Sequence, residues 1–539
     1  MNKLMTVMVP LLAAETVFGG WGQSPDGTFW NNHTQRNGKS EEQRFIYAPT
    51  LEFKSVEGAR AYVFEILDDI HEFHALTNSA AMVDLEKIWQ ELPVGFVTIT
   101  ARALDQKGAF VGEAGRRVLW KKAAFDPSKY EGPAMDYALA RTRVIDCFIR
   151  QPHIMTLKAT GKIDLANYAL NGYPSKMLSS EVTELSAFAK NGTFGEADAA
   201  ELMDIARKAA DFMIGYSVPA GEPLEYFPRT YHEEGSEYGR FKGDQDRIHL
   251  LYPAKGGVAL ANIYVATEEK KYLEASERIA RTYIKLQEKD GTWPMQLNAK
   301  TAKPYNQNRL VPMDVIFLME KLYKITGKAE YRKCADEAFR FMDEGPMRNW
   351  NWEGQFEDGA KMKVATHQNL SNFPANMMAA YLVERFPGDA KRIAQAEELV
   401  KFVEDQFIDW EPPFDHGRNR VEAGKRGDDG SWNWFCRPTS AWCCPVVLEQ
   451  YACYVPVDAS SAKTVNTLLA VYKATKKPRY YQMAKALVDA QTRMIEEDGF
   501  LNTWSVKGVK RNDHRHHTWD NCTMEMMTAL GNFAAVECP

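Results

Sequence analysis

The feature that most restricts how this chain folds is a helical hairpin that recurs. Tyr264-Val265-Ala266-Thr267, Tyr323-Lys324-Ile325-Thr326 and Tyr472-Lys473-Ala474-Thr475 each close one helical run, and the next run opens at Tyr272, Tyr331 or Tyr480. Two of the second runs end in acid-glycine-aromatic turns, Asp290-Gly291-Thr292-Trp293 and Asp498-Gly499-Phe500. A repeated hairpin buries its apolar face only against its neighbours, so it builds a solenoid or a closed ring. The 3.6-residue period predicts helices at about 134–150, 172–190, 198–216, 254–267, 269–288, 308–326, 328–343, 371–386, 389–407, 461–475, 478–496 and 519–535, with a short extra one over 440–452. Twelve long helices make six hairpins, the number that closes an (α/α)6 toroid. The long links 217–253, 289–307, 344–370 and 408–460 all follow the second helix of a hairpin. In a ring they gather at one end, where loops on a rigid scaffold carry function.

Ahead of the helices the period is two. Strands are expected near 50–53, 61–66, 95–101 and 118–120, with a turn at Gln106-Lys107-Gly108. Short strands separated by turns predict a small β-sandwich over 44–126, after an irregular segment 1–43 and before a mainly α unit at 127–539. Lys3 followed by Leu4 to Ala14 reads as a short secretory signal at 1–14, which implies a periplasmic or secreted protein, with a cytoplasmic one as the alternative. No apolar run reaches the roughly 20 residues of a membrane helix. A net charge of −6 leaves no electrostatic footprint for nucleic acid. Eight cysteines in 539 residues are too few for a disulfide framework. Cys436, Cys443, Cys444 and Cys453, with His514, His516 and His517, match no common zinc spacing, so no metal and no other cofactor is expected.

The links are rich in acids, amides and aromatic rings. Asn349-Trp350-Asn351-Trp352-Glu353-Gly354-Gln355-Phe356-Glu357-Asp358 is the densest of them. Indole faces stack on sugar rings, amides bind hydroxyls, and a positioned carboxyl protonates a glycosidic oxygen. The competing reading makes the tryptophans core and the acids helix caps. Glu353 is the general-acid candidate, with Asp358 and Glu449 as base candidates. Arg309 either binds a sugar carboxylate with His249 or neutralises acids at the ring mouth. Trp350, Trp352 and Tyr451 are stacking candidates, and Tyr252 and His367 line the substrate. His249 and His367 also read as structural histidines. Asp520 reads equally as an N-cap and as a substrate ligand beside Asn521.

The motifs Tyr173-Pro174-Ser175-Lys176, Leu251-Tyr252-Pro253, Asn308-Arg309-Leu310-Val311-Pro312, Trp350 to Asp358 and Leu448-Glu449-Gln450-Tyr451, behind a fibronectin type III-like module, resemble the six-hairpin glycosidase-like families over about 134–536. The nearest resemblance is to glycoside hydrolase family 154, which implies exo-acting β-glucuronidase activity on a polysaccharide. The resemblance assigns no catalytic residue. The reading is therefore a glycoside hydrolase acting on a uronic-acid-containing glycan. A polysaccharide lyase or uronyl epimerase, a zinc-cysteine glycosidase and a non-catalytic glycan-binding protein are the alternatives.

Overall fold

The computed structural model describes residues 43–191, 196–235, 242–350, 352, 371–412, 442–449, 456–505 and 519–536. Among them, seven strands come first: β1 (Gln43–Phe45), β2 (Thr50–Glu52), β3 (Ala61–Leu67), β4 (Phe73–Asn78), β5 (Met82–Asp84), β6 (Gly95–Leu104) and β7 (Phe110–Lys121). They form a five-stranded sheet in the order β1-β7-β6-β3-β4 and a two-stranded sheet of β2 and β5. Leu51 and Val83 from the small sheet and Phe64, Ile66, Val97 and Ile99 from the large one are buried together. The Gln106-Lys107-Gly108 turn forms as its sequence predicts, with Asp105 Oδ1 accepting from the Lys107 and Ala109 amides and Gly108 at a φ of 80°.

Twelve long helices follow among the described residues. They are α1 (Tyr137–Ile149), α2 (Pro174–Lys190), α3 (Glu196–Gly215), α4 (Leu251–Thr267), α5 (Lys270–Leu286), α6 (Met313–Thr326), α7 (Ala329–Glu344), α8 (Asn372–Arg385), α9 (Ala390–Phe407), α10 (Asp458–Thr475), α11 (Pro478–Met494) and α12 (Asp520–Ala534). Their packing closes a ring. α2 lies against α4, α4 against α6, α6 against α8, α8 against α10, α10 against α12, and α12 against α2. The partners α3, α5, α7, α9 and α11 pack outside, and α1 takes the outer place beside α12. The fold is an (α/α)6 toroid behind a β-sandwich.

The recurring tyrosines explain the hairpin turns. The amides of Glu268, Gly327 and Lys476 donate to the carbonyls of Tyr264, Tyr323 and Tyr472, each from a left-handed residue. In each turn the threonine hydroxyl donates back to the carbonyl four residues earlier. It also accepts the amide of the residue that precedes the outer helix. The second tyrosine then ties neighbouring outer helices together: Tyr331 OH donates to Glu277, and Tyr480 OH donates to Glu397. Glycine fills the left-handed site only at 327; Glu268 and Lys476 hold φ of 62° and 57°. A non-glycine residue pays steric energy in that conformation. Glu268→Gly and Lys476→Gly should each stabilise the chain by about 0.5–1 kcal/mol in urea melts, and Gly327→Ala should cost about as much.

One expected helix, over 440–452, does not form in its described residues 442–449. Cys444-Pro445 is a cis peptide, and Val446–Val447 pairs antiparallel with Ile408–Asp409. A short apolar run with adjacent β-branched residues suits either period, and pairing with the end of α9 decides it.

The sandwich seats on the ring through buried charges. The Ile46 and Tyr47 amides donate to Asp405 Oδ1 at 2.6 and 2.8 Å. Lys122 Nζ meets Asp409 at 3.2 Å, and Arg44 meets it at 3.6 Å. Tyr47 OH and Arg479 both donate to Glu404. These acids stand at the C-terminal end of α9, so the sandwich sits beside the end of the ring that carries the long links.

Candidate active site

The described parts of the links meet one another at the N-terminal ends of the inner helices. Arg247–His249 pairs with Gln296–Asn298. The Leu224 amide donates to Ala299, and the His232 amide to Gly172. Asn372 Nδ2 reaches the Leu448 and Glu449 carbonyls at 2.7 and 3.1 Å. The Ser371 amide donates to Trp352, and the Asp458 amide to Thr503. This end is the mouth.

Inner helices are buried nearly all round, so the few half-buried positions reveal which side faces the bore. They recur at helical spacing: 176, 180, 183 and 187 on α2; 255, 258 and 262 on α4; 314, 317 and 321 on α6; 373, 377 and 380 on α8; 463, 466 and 470 on α10; 525 and 528 on α12. The layer nearest the mouth takes one side chain from each inner helix: Lys176, Lys255, Asp314, Phe373, Lys463 and Glu525. Below it, polar contacts join adjacent inner helices. Asn262 Nδ2 meets Thr183 Oγ1 at 3.4 Å, and Asn532 Nδ2 meets Asn466 Oδ1 at 2.9 Å.

The first layer is strongly charged. Lys255 Nζ stands 3.9 Å from Glu525 Oε1, and Lys463 Nζ pairs with the other oxygen, Oε2. α4 and α10 lie on opposite sides of the ring, so the two ammonium groups grip one carboxylate from across the bore. Lys463 Nζ also lies 4.4 Å from the Phe373 ring centroid. Burial pushes the Glu525 carboxyl up, but Lys463 and Lys255 outweigh it and hold it below the usual carboxylate range. Asp314, on the helix facing α12, behaves oppositely. Burial raises its carboxyl above the usual range, and Lys255 and Lys463 only partly offset that. Two carboxyls of one layer are thus pushed apart in acidity. The Cys522 thiol, raised by burial and by Glu525, also feels Lys176 and Glu449, which places half-buried Glu449 in the same neighbourhood.

Several residues expected to bind substrate are used otherwise. Arg309 Nη1 donates to Glu288 at 2.7 Å, and Nη2 to Asp290 at 2.6 and 2.8 Å. Its fork neutralises acids at the rim instead of facing the bore. Trp352 is 0 % exposed, so protein covers both faces of its indole. Trp350, at a φ of 56°, folds the chain back and packs 5.5 Å from Phe402. Trp352 is core, with half-buried Trp350 packed against that core, and stacking by Trp352 is excluded. His249 and Tyr252 are buried, with rings 5.2 Å apart, and the His249 amide donates to Thr230 Oγ1. Their burial gives them a structural part. Asp520 does not cap its helix: it is the first helical residue, and its carboxylate meets His153 Nε2 at 2.8 Å. Asn521 is buried beside it. Glu353, Asp358, His367 and Tyr451 lie outside the described residues.

Around Asp520 stands a cluster that the sequence did not disclose. His153 stacks on Tyr168 at 4.1 Å, and Tyr168 OH accepts the Asp520 amide at 3.0 Å. Burial and then the Asp520 carboxylate push Glu181 well above the usual range. Tyr173, Tyr231 and Trp519 cover this group, with Lys176 Nζ 4.0 Å from the Trp519 centroid. Cys443 and Cys444, two of the weighed metal ligands, line a cleft of about 1090 Å³ between sandwich and ring. Among the described residues no helix is long and apolar enough to cross a membrane.

Neither a protein-family model nor a curated protein matches the chain. Solved structures of similar shape exist. A family 76 glycoside hydrolase from a bovine Bacteroides thetaiotaomicron strain aligns over 92% of this chain and 97% of its own, at 10% identity and a TM-score of 0.47. The cellobiose 2-epimerase of Spirochaeta thermophila aligns over 74% and 99%, at 11% identity and a TM-score of 0.45. An unsaturated glucuronyl hydrolase specific for heparin aligns over 74% and 96%, at 12% identity and a TM-score of 0.44. These likenesses carry no argument about function, which rests on the site itself.

Proposed function

We propose that the protein is a glycan-processing enzyme that hydrolyses a glycosidic bond at the ring mouth, acting from the chain end on a uronic-acid-containing glycan in the manner of a β-glucuronidase. The observation that carries this is Asp314: a carboxyl raised above the usual range, half-buried, facing the bore in a layer of charged groups. Such a carboxyl holds its proton to higher pH than an ordinary aspartate and can deliver it to a leaving oxygen. Asp314 is the general acid in this reading. Glu449, at the mouth and supported through its carbonyl by Asn372, is the base that activates water. Glu525, already gripped by two lysines, is a poor base and serves to place them. Glu353 and Asp358 remain the competing carboxyls of the 344–370 link. The sandwich, similar to fibronectin type III-like modules, supports the ring without contributing a reacting group.

The test is a panel of aryl glycosides and uronate oligosaccharides given to the purified chain. Aryl β-glucuronide should be cleaved in preference to the matching glucoside, with a saturated sugar as product. An unsaturated uronate product would make the protein a lyase. Interconversion of sugars without cleavage would make it an epimerase.

A further inference from the structure

We propose that Asp68, Glu72 and His74, at the tip of the β3–β4 hairpin, hold a divalent zinc ion that braces the edge of the sandwich sheet. The site lies in the sandwich and is independent of the reaction at the ring mouth.

The hairpin itself assembles the ligands. β3 and β4 pair antiparallel, with Ile66 opposite His74 and Leu67 opposite Phe73. The next step of that register sets Asp68 opposite Glu72, and the Asp68 amide donates to the Glu72 carbonyl at 3.1 Å. The His71 amide donates to the Asp68 carbonyl from a left-handed residue with a φ of 65°. Glu72 and His74 are two residues apart, so they share one face, and Asp68 stands on it across the hairpin. The Asp68 carboxylate, the Glu72 carboxylate and the His74 ring each place a ligand atom within 4.8 Å of the others.

Two observations set this group apart from an ordinary turn with an ion pair. First, the oxygens of Asp68 divide their work. Oδ1 accepts the Ile70 and Glu72 amides at 3.1 and 2.9 Å, which completes the turn. Oδ2 takes no part in the turn and meets His74 Nε2 at 3.4 Å. A charge-assisted pair would close to about 2.7–2.9 Å. Two ligands of one tetrahedral zinc, each roughly 2.0–2.1 Å from the metal, stand roughly 3.3–3.4 Å apart. Second, the Asp68 side chain is 1% exposed, and among the described residues only His74 is in ion-pair reach of it. Buried carboxylates are paired with a cation or ligate a metal, and a neutral imidazole supplies no charge. Glu72 is exposed, so it can turn inward as the third ligand and leaves the fourth position open to water. Imidazole with carboxylates suits zinc, whereas magnesium and calcium take oxygen ligands. The brace falls where packing is thin. β4 is the edge strand, each of its residues is exposed or half-buried, and Phe73 is exposed.

The experiment is equilibrium dialysis of the full chain against zinc, with the histidines followed by diethyl pyrocarbonate modification and peptide mass mapping. Zinc should shield His74 from the reagent, while exposed His71 continues to react. Glu72→Gln and His74→Gln should each weaken the uptake of one equivalent at least 10-fold, since even the outer partners of metal sites are worth about 10- to 100-fold in affinity. Glu72→Gln tests the site without disturbing the fold, because the Glu72 side chain is exposed and takes no part in the turn. Asp68→Asn keeps the Oδ1 acceptor of the turn and should lose the zinc as well. Thermal melts in chelator check that all three variants stay folded. A chain that takes up no zinc, zinc that leaves His74 reactive, or variants with wild-type uptake would overturn the site. Displacement of the zinc by an equal concentration of calcium would overturn it too.

Discussion

Asp314→Asn should lower kcat on a natural glycosidic linkage by about 10²–10⁴-fold while the protein stays folded. The amide keeps the shape and most hydrogen bonds but has no proton to transfer. The loss should shrink on nitrophenyl glycosides, whose leaving group needs little protonation. A deep loss on the oligosaccharide with a shallow one on the aryl glycoside identifies a general acid. Equal deep losses on both would make Asp314 a positioning group. Glu353→Gln, made in parallel, is the decisive comparison: if it shows the graded loss and Asp314→Asn stays within a few-fold, the acid belongs to the 344–370 link. The pH profile gives a second check. Burial raises the Asp314 carboxyl, so the protonated form persists to higher pH than for an ordinary aspartate. Activity that depends on it should fall as pH rises through that raised value, and this fall should disappear from the Asp314→Asn profile.

Much of the scaffold was legible because helices announce themselves locally. All twelve long helices follow from the 3.6-residue period, and the Tyr and Thr repeat marks real turns with shared hydrogen bonds. The strand Phe73–Asn78 escaped because each of its residues is exposed or half-buried, so no apolar alternation signals it. His153 escaped because Pro152–Thr160 is too short to stand out among the long helices. The site was less legible, for a physical reason. Whether a helix lines the bore depends on burial all round, which only the closed ring supplies. A usable signal was present in α4, where Lys255 is the sole charged residue of a long apolar helix. A lone charge in such a helix must face either a partner or solvent. In the Trp350–Trp352 stretch the competing reading, tryptophans as core, is the one the buried Trp352 fits. Trp350 holds a left-handed turn, and the Trp352 carbonyl accepts the Ser371 amide.

The largest loss of stability is expected at two glycines of the outer turns. Gly291 and Gly499 close matched turns. Their amides donate to Glu288 and Glu496, while the Asp290 and Asp498 carboxylates accept from Thr292 and Phe500. Both hold left-handed backbone, with φ of 94° and 88°. A Cβ at 291 would overlap the Glu337 carbonyl of α7, and one at 499 would overlap the Arg143 carbonyl of α1. Each glycine thus lets the turn after one outer helix touch the next outer helix. At 499 that neighbour is the first helix of the ring, so this contact joins the end of the circuit to its beginning. Alanine there meets two costs: about 1 kcal/mol for the left-handed conformation, and the separation of two helices to relieve a backbone clash. Together they should reach roughly 3–5 kcal/mol, among the largest effects of single substitutions. Gly327 supplies the control, since it has a φ of 71° and an added methyl there would meet nothing within 4 Å. Gly327→Ala should cost only the conformational part, about 1 kcal/mol. Urea melts of the three variants separate the two costs. If Gly499→Ala were as mild as Gly327→Ala, α1 would not close the ring against the last hairpin. If Gly291→Ala alone were severe, the ring would be tight within the chain and loose at its seam.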